Sequence, residues 1–426
     1  IYYKREVILD FFALIRTHDF IVLAGKSGVG KTSLVRYFAK ALNGEYKIIP
    51  VKPNWMSKED LLGYYNPIQR QYISTEFLNV LIEAENNPSK PYFICLDEMN
   101  LAKVEYYFAD FLSKMEERGE TFVEIELYSE DIYPNIRKII EVLQGVNPSE
   151  ITSSNILSFN KLVMLIKEVY QITELEKKTN EEIYDLFLSI IPRIPPRIKV
   201  GQNVHFMGTA NIDDSTHYFS PKVLDRVQVL KFNNSELFTA QKDISLTLKK
   251  YIDSTSLSEF PEQQILFQDL SKSIDISENQ SLILGNREKY LYADDFINNN
   301  LENLNRKFLN QLNIDFGYRL LLQANHYYMQ WIELFKEMLV KEVSQNSGYD
   351  PSVHYKFVSE FTISGFLIHK IFPRLVINNE EMLNNLIKLS QYLKKHKIDY
   401  LGVTEELEKI IEYCKKNDFH GTYWSV

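Results

Sequence analysis

The stretch FIVLAGKSGVGKT, residues 20–32, decides the fold. FIVLAG is a short apolar run that closes on glycine, the pattern of a strand buried on both faces of a parallel sheet. GKSGVGKT then satisfies the spacing G-x-x-x-x-G-K-[ST], and the following TSLVRYFAKALN reads as a helix. A glycine-rich turn between strand and helix makes a phosphate cradle, because backbone N–H groups and the positive helix terminus face one point. Gly25, Lys26, Ser27, Gly28, Val29, Gly30, Lys31 and Thr32 are the candidate loop. Lys31 is expected to reach the terminal phosphates and Thr32 to ligate Mg2+.

Working outward, Tyr2 to Thr17 carries helical spacing, and KIIPV (47–51), YFICL (92–96), VHFMG (204–208) and VQVLKF (227–232) read as further strands. STEFLNVLIEAENN, opened by Ser74, and KVEYYFADFLSKMEER (103–118) read as helices between them. Strands alternating with helices imply an α/β fold with a parallel sheet and covered faces. FICLDEMN (93–100) ends its strand in two acids, at the carboxyl edge where open parallel sheets bind ligands. Asp97 is the candidate for the magnesium shell and Glu98 for polarising the attacking water, the alternative being N-capping of the next helix. GTANIDDSTHYFSPKVLDR (208–226) leaves the next strand beside the same phosphates. Asn211 is placed to hydrogen-bond the water or the terminal phosphate. Arg226, a short helix later, is placed to meet a neighbouring subunit's nucleotide, against the alternative of a surface charge.

Residues 120–200 exceed the usual connection of about 4–6 residues, so an insertion is expected there. TFVEIEL and PPRIKV read as its hairpin legs, and NIRKIIEVL, NKLVMLIKEVY and EEIYDLFLSII as amphipathic helices. Arg193, Arg197 and Lys199 face either a pore or DNA, or simply solvent on a hairpin leg. From Ser235 onward strand signals fade and long helical patterns take over, among them DDFINNNLENLNRKFLNQL and EEMLNNLIKLSQYLKKH. The domains expected are 1–233, α/β and nucleotide-binding, and 234–426, helical.

The 426 residues carry 45% hydrophobic side chains and a net charge of -9, enough for filled cores and wrong for a surface devoted to nucleic acid. Cys95 and Cys414 are the only cysteines, which gives no disulfide framework and fits a cytoplasmic protein. No apolar run approaches the roughly 18 residues that would span a membrane. The chain starts at Ile1 and not at Met, as expected of a piece whose upstream domain lies outside it.

Together these motifs resemble the AAA+ superfamily, and within it the McrB-like branch near the MoxR ATPases. GKSGVGKT resembles its Walker A motif and ICLDEMN its Walker B motif. PNWMSKEDLLGYYNP, LAKVEYYFADFLSKME and GTANIDDSTHYFSPKVLDR are similar to its rarer signatures, while FGYR (316–319), KIFPRL and GTYWS resemble landmarks of its helical lid. The resemblance implies a ring, usually a hexamer, that hydrolyses GTP or ATP with Mg2+. It implies Asn211 as sensor 1, Arg226 as arginine finger and Arg319 as the lid's sensor 2. The family signature M-N-T-A-D-R-S aligns with A-N-I-D-D-S-T here, so Ser215 replaces an arginine and either Asp213 or Asp214 is the functional acid. The family also implies the motor subunit of a restriction or anti-phage system, with DNA contacted through the upstream domain. No P-D...(D/E)-x-K pattern is present, so cutting falls to a partner nuclease. A MoxR-like chaperone that remodels a protein and a nucleotide-gated scaffold with little hydrolysis are the competing functions.

Overall fold

The computed structural model describes residues 3, 5–68, 71–117, 122–129, 163–164, 182, 194–212, 217–232, 299–314, 316–343 and 351–425. Helix α1 (Arg5–Arg16) leads into β1 (Phe20–Gly25), the phosphate loop and α2 (Lys31–Ala41). Strand β2 (Glu45–Pro50) and the one-turn α3 (Lys58–Leu62) follow, then an antiparallel pair, β3 (Gly63–Asn66) with β4 (Gln71–Ser74). The sequence patterns gave no sign of that hairpin. Its four-residue legs are too short for a clear alternation, and it depends on Gly63 at φ +95, where a Cβ would collide with the Ile73 carbonyl oxygen. Asn66 turns the chain by accepting the Ile68 N–H at 3.0 Å.

Helix α4 (Glu76–Asn86) is capped by Thr75, whose hydroxyl accepts the Leu78 N–H at 3.2 Å; the cap is thus one residue later than the Ser74 expected. After β5 (Tyr92–Asp97), the single helix expected over 103–118 is two, α5 (Val104–Tyr107) and α6 (Ala109–Glu116). They break at Phe108, which leaves helical geometry at φ -124 and buries its ring against Phe20 and Phe111. β6 (Phe122–Glu126) and β7 (Arg197–Gly201) pair antiparallel as the two insertion legs, Val123 opposite Val200. The helices expected between those legs, and Arg193, lie outside the described residues apart from positions 163–164 and 182. β8 (Val204–Asn211), α7 (Pro221–Leu224) and β9 (Val227–Phe232) complete the α/β part.

Five strands form one parallel sheet in the order β2-β5-β8-β1-β9. β1 is buried along its whole length, and β5 and β8 along all but their last residue, because helices cover both faces. β2 is an edge strand and is correspondingly more exposed. β9 occupies the other edge and is still almost wholly buried, which the helical region explains.

That region contains α8 (Tyr318–Val343), α9 (Pro351–Phe366), a π-helical turn at Leu367–Ile371, and, after β10 (Val376–Ile377), α10 (Glu380–Lys395) and α11 (Val403–Lys416). The segment 294–298 of the first long pattern lies outside the described residues. Strand signals do not vanish entirely here: β10 pairs with β11 (Gly421–Thr422) and joins the KIFPRL and GTYWS segments. Trp424 donates to the Pro373 carbonyl at 2.9 Å and packs at a tilt against Phe219 beside α7. The π turn lies along β9 and replaces a missing strand: His369 Nδ1 and Lys370 Nζ donate, at 2.7 Å each, to the carbonyls of Val229 and Val227. Carbonyls two residues apart point to one side of a strand, so side chains close the free edge.

The helical region and the sheet share one contiguous core. At its centre His369 Nε2 donates to Asp10 Oδ2 on α1 at 2.7 Å, and the Tyr327 hydroxyl of α8 donates to Asp10 Oδ1. Burial alone would lower the His369 pKa, but the Asp10 charge, its hydrogen bond and the Val229 carbonyl outweigh that and raise it. With an acceptor at each ring nitrogen, the side chain is an imidazolium. Among the described residues no helix is long and apolar enough to cross a membrane.

Candidate nucleotide-binding site

The loop after β1 turns into α2 through Gly30, whose φ of +97 a side chain would rarely tolerate. Lys31, the first residue of α2, is 6% exposed and points back under the loop. Its Nζ donates to the carbonyls of Gly25 at 2.7 Å and Lys26 at 2.8 Å, and to Asn211 Oδ1 at 2.9 Å. Gly25 and Asn211 are partners in the β1–β8 register, so the sheet itself brings the last contact about.

The acids stand on the adjoining strand. Asp97 Oδ1 accepts the Thr32 hydroxyl at 3.0 Å. Glu98 follows in a left-handed conformation, φ 52 and ψ 46, and its Oε1 accepts the Asn211 amide at 2.9 Å. The Asn211 side chain thus bridges Lys31 and Glu98. Five of the residues singled out in the sequence, Lys31, Thr32, Asp97, Glu98 and Asn211, meet at the carboxyl edge of β1, β5 and β8. Hard oxygen donors at Thr32 and Asp97 suit Mg2+, which takes one or two protein ligands and completes its shell with phosphate and water. Among the described residues no three His, Cys, Asp or Glu gather into a protein-only metal cage.

Two residues escaped the sequence reading. Asn100, 4% exposed, donates to the Asn211 carbonyl at 2.9 Å, accepts the Asn211 N–H at 3.2 Å, and accepts the His217 N–H at its own carbonyl at 3.0 Å. It therefore fixes both ends of the segment that leaves β8. Thr209, on β8, donates its hydroxyl to Asp97 Oδ1 and accepts the Glu98 N–H. The available signals were an amide inside DEMN and a hydroxyl inside an otherwise apolar strand. Asp213 and Asp214 lie outside the described residues, and His217 is exposed.

Arg226 is elsewhere. Val227 pairs with Phe20, at the opposite end of β1 from Gly25, so five residue steps of strand put Arg226 about 17 Å from its own loop. Its Nε donates to Glu116 Oε1 at 3.1 Å. Arg319 joins it there and is not brought to Lys31: it donates to Glu116 Oε2 at 3.2 Å and to Asp225 Oδ2. Arg374 donates to Asp225 Oδ1 at 2.9 Å, while Lys370 Nζ donates to the carbonyls on both sides of Arg226, Asp225 at 2.9 Å and Val227. Burial pushes the Asp225 carboxyl upward, yet the Arg319 hydrogen bond with the charges of Arg374 and Lys370 brings it below its usual value. Burial likewise pushes the Lys370 ammonium down to about 7. A groove of about 940 Å³ opens beside this cluster, lined by Phe219, Leu224, Arg319, Leu320 and Trp424 among others.

A parallel sheet in this strand order, with a phosphate loop after β1 and paired acids after β5, defines an AAA+ P-loop nucleoside triphosphatase domain. Residues 20–131 match the AAA domain family of the dynein-related subfamily. Over 121 residues the chain is 32% identical to the type IV methyl-directed restriction enzyme EcoKMcrB subunit of Escherichia coli (strain K12), a match covering 26% of each chain. The matched stretch of this AAA+ domain resembles that McrB subunit. The family match ends before β8, so Asn211, Arg226 and Arg319 rest on the geometry and not on the match.

Proposed function

We propose that this chain is the ring-forming, GTP- or ATP-hydrolysing motor subunit of a McrBC-like restriction or anti-phage system, with Asn211 coupling phosphate binding to Glu98. The single observation that carries the hydrolytic part is the Lys31–Asn211–Glu98 bridge. Lys31 donates to neutral oxygens of the loop and of Asn211, and the far stronger acceptor oxygens of a terminal phosphate displace them from its ammonium. Asn211 is then released from Lys31 and, with Glu98, orients a water in line with the phosphate. Thr32 and Asp97 hold Mg2+, which when bound neutralises charge on the phosphate oxygens. Arg226 and Arg319, at the opposite sheet edge, serve the nucleotide of a neighbouring subunit.

Purpose follows from the McrB-like character of the domain: hydrolysis works a ring that a partner nuclease uses against foreign DNA, with DNA contacted through a separate domain. The deciding experiment mixes inactive Arg226→Ala with inactive Glu98→Gln protein. Mixed rings contain interfaces with one intact Glu98 and one intact Arg226, so turnover is expected to return. No recovery in verified mixed rings would refute action between subunits.

A further inference from the structure

We propose that Thr209 is the positioning residue of the hydrolytic site, one hydroxyl that sets both the Asp97 carboxylate and the turn that aims Glu98. The inference rests on the hydrolytic role of Glu98 proposed above. A threonine within a strand is ordinarily a β-branched side chain filling the pleat. Thr209 is 1% exposed, on the central strand β8, with Leu23 of β1 as its register partner on one side and β5 on the other. An apolar residue would be the default there. Its hydroxyl instead donates to Asp97 Oδ1 at 2.6 Å and accepts the Glu98 N–H at 2.8 Å. Donation to a carboxylate fixes the hydroxyl rotor and leaves a lone pair for the N–H.

The consequence is geometric. In a continuing strand Asp97 and Glu98 would point to opposite faces of the sheet. They do not: Asp97 meets Thr209, Glu98 meets Asn211, and residues two apart on β8 share a face. The left-handed backbone at Glu98, φ 52 and ψ 46, brings both acids to that face. It is a conformation unfavourable for any residue with a Cβ, and it persists where surrounding contacts hold it. The Thr209 oxygen is such a contact, and the same oxygen, together with the Thr32 hydroxyl at 3.0 Å, holds Asp97 Oδ1.

The test compares the full chain with Thr209→Val, which keeps the shape and loses the hydroxyl, Thr209→Ser, which keeps the hydroxyl, and Thr209→Ala. Turnover of GTP and ATP is measured alongside the affinity for a non-hydrolysable triphosphate with Mg2+ and with the metal chelated. Thr209→Val is expected to lower kcat about 10 to 100-fold, the usual factor for losing a hydrogen bond to a charged group. Its metal-free affinity should stay within about twofold of wild type, since no phosphate contact is lost. The gain in affinity on adding Mg2+ should shrink, and Thr209→Ser should restore both kcat and that gain. Wild-type kcat in Thr209→Val overturns the proposal, as does equal impairment of Thr209→Ser, which would make the methyl group the important part. If Val and Ala variants both fail to bind nucleotide without metal, the hydroxyl is a folding requirement and the positioning role is refuted. Glu98→Gln is run in parallel: its turning over at the wild-type rate would refute the role of Glu98 itself, independently of Thr209.

Discussion

At the scale of single residues, the proposed mechanism separates groups that bind from groups that react, and substitutions should do the same. Lys31 contributes charge and hydrogen bonds where the terminal phosphates are expected, so Lys31→Ala should weaken nucleotide affinity ~100-fold or more, at about 1.5–3 kcal/mol for each charged hydrogen bond lost. Glu98→Gln keeps size and polarity but cannot take a proton or polarise water in the same way. It should bind nucleotide normally and lose turnover by about 10² to 10⁴, measured by equilibrium binding beside steady-state hydrolysis. Equal effects on both quantities would make Glu98 a structural residue. Lys31, Thr32, Asp97 and Glu98 were legible in the sequence because each lies in a short motif with a fixed relation to a strand end. Asn211 was legible once β8 was seen to end beside β1. Thr209 and Asn100 were not, since each acts across a strand boundary between positions about 110 apart, on partners that no local pattern names.

At the scale of elements, the helical region holds the segment around Arg226 through its π turn and the turn's neighbours. Lys370 bonds the carbonyls flanking Arg226, and Arg319 and Arg374 both hold Asp225. The Arg319 pairs are surface-exposed, so Arg319→Ala should cost less than about 1 kcal/mol of stability in urea unfolding. Turnover by assembled protein should nevertheless fall, because the guanidinium next to Arg226 is lost from the same edge. Unchanged turnover would remove Arg319 from the site. The buried His369–Asp10 pair gives a second test. Its raised folded pKa means that its stabilisation is fully present below the ordinary histidine value of 6.5 and is lost as pH rises through the folded value. Unfolding free energy should therefore fall with pH above that point in wild type, and His369→Gln should flatten this part of the profile. These contacts were invisible in the sequence: KIFPRL stood out as a landmark, but nothing in its spacing said that β9 would need its free carbonyls satisfied. The β3–β4 hairpin was equally hidden, in legs of four residues.

At the scale of the whole molecule, the sheet puts the phosphate loop at one end of its strands and Arg226 at the other, and in the proposed ring each chain would supply half of two sites. Activity should then depend on concentration. Specific activity is expected to drop on dilution below the assembly threshold, by up to the 10³ to 10⁵ that an arginine finger typically contributes. Activity proportional to chain concentration throughout would make the site complete in one subunit. The same division bears on DNA. The proposed role gives the chain phosphate chemistry, and its net charge is -9. Alone with nucleotide and Mg2+ it should hydrolyse the nucleotide and leave DNA intact. Any DNA contact should be weak and lost as salt rises, since it would run through a few Lys and Arg side chains to phosphates. Methylated and unmethylated DNA, incubated with the chain alone and then with a candidate nuclease partner added, checks this directly. Cleavage by the chain alone would overturn the division of labour. Nucleotide turnover with no cleavage under any pairing would instead favour a motor that remodels protein, because a nucleotide-hydrolysing site of this kind can drive either kind of work.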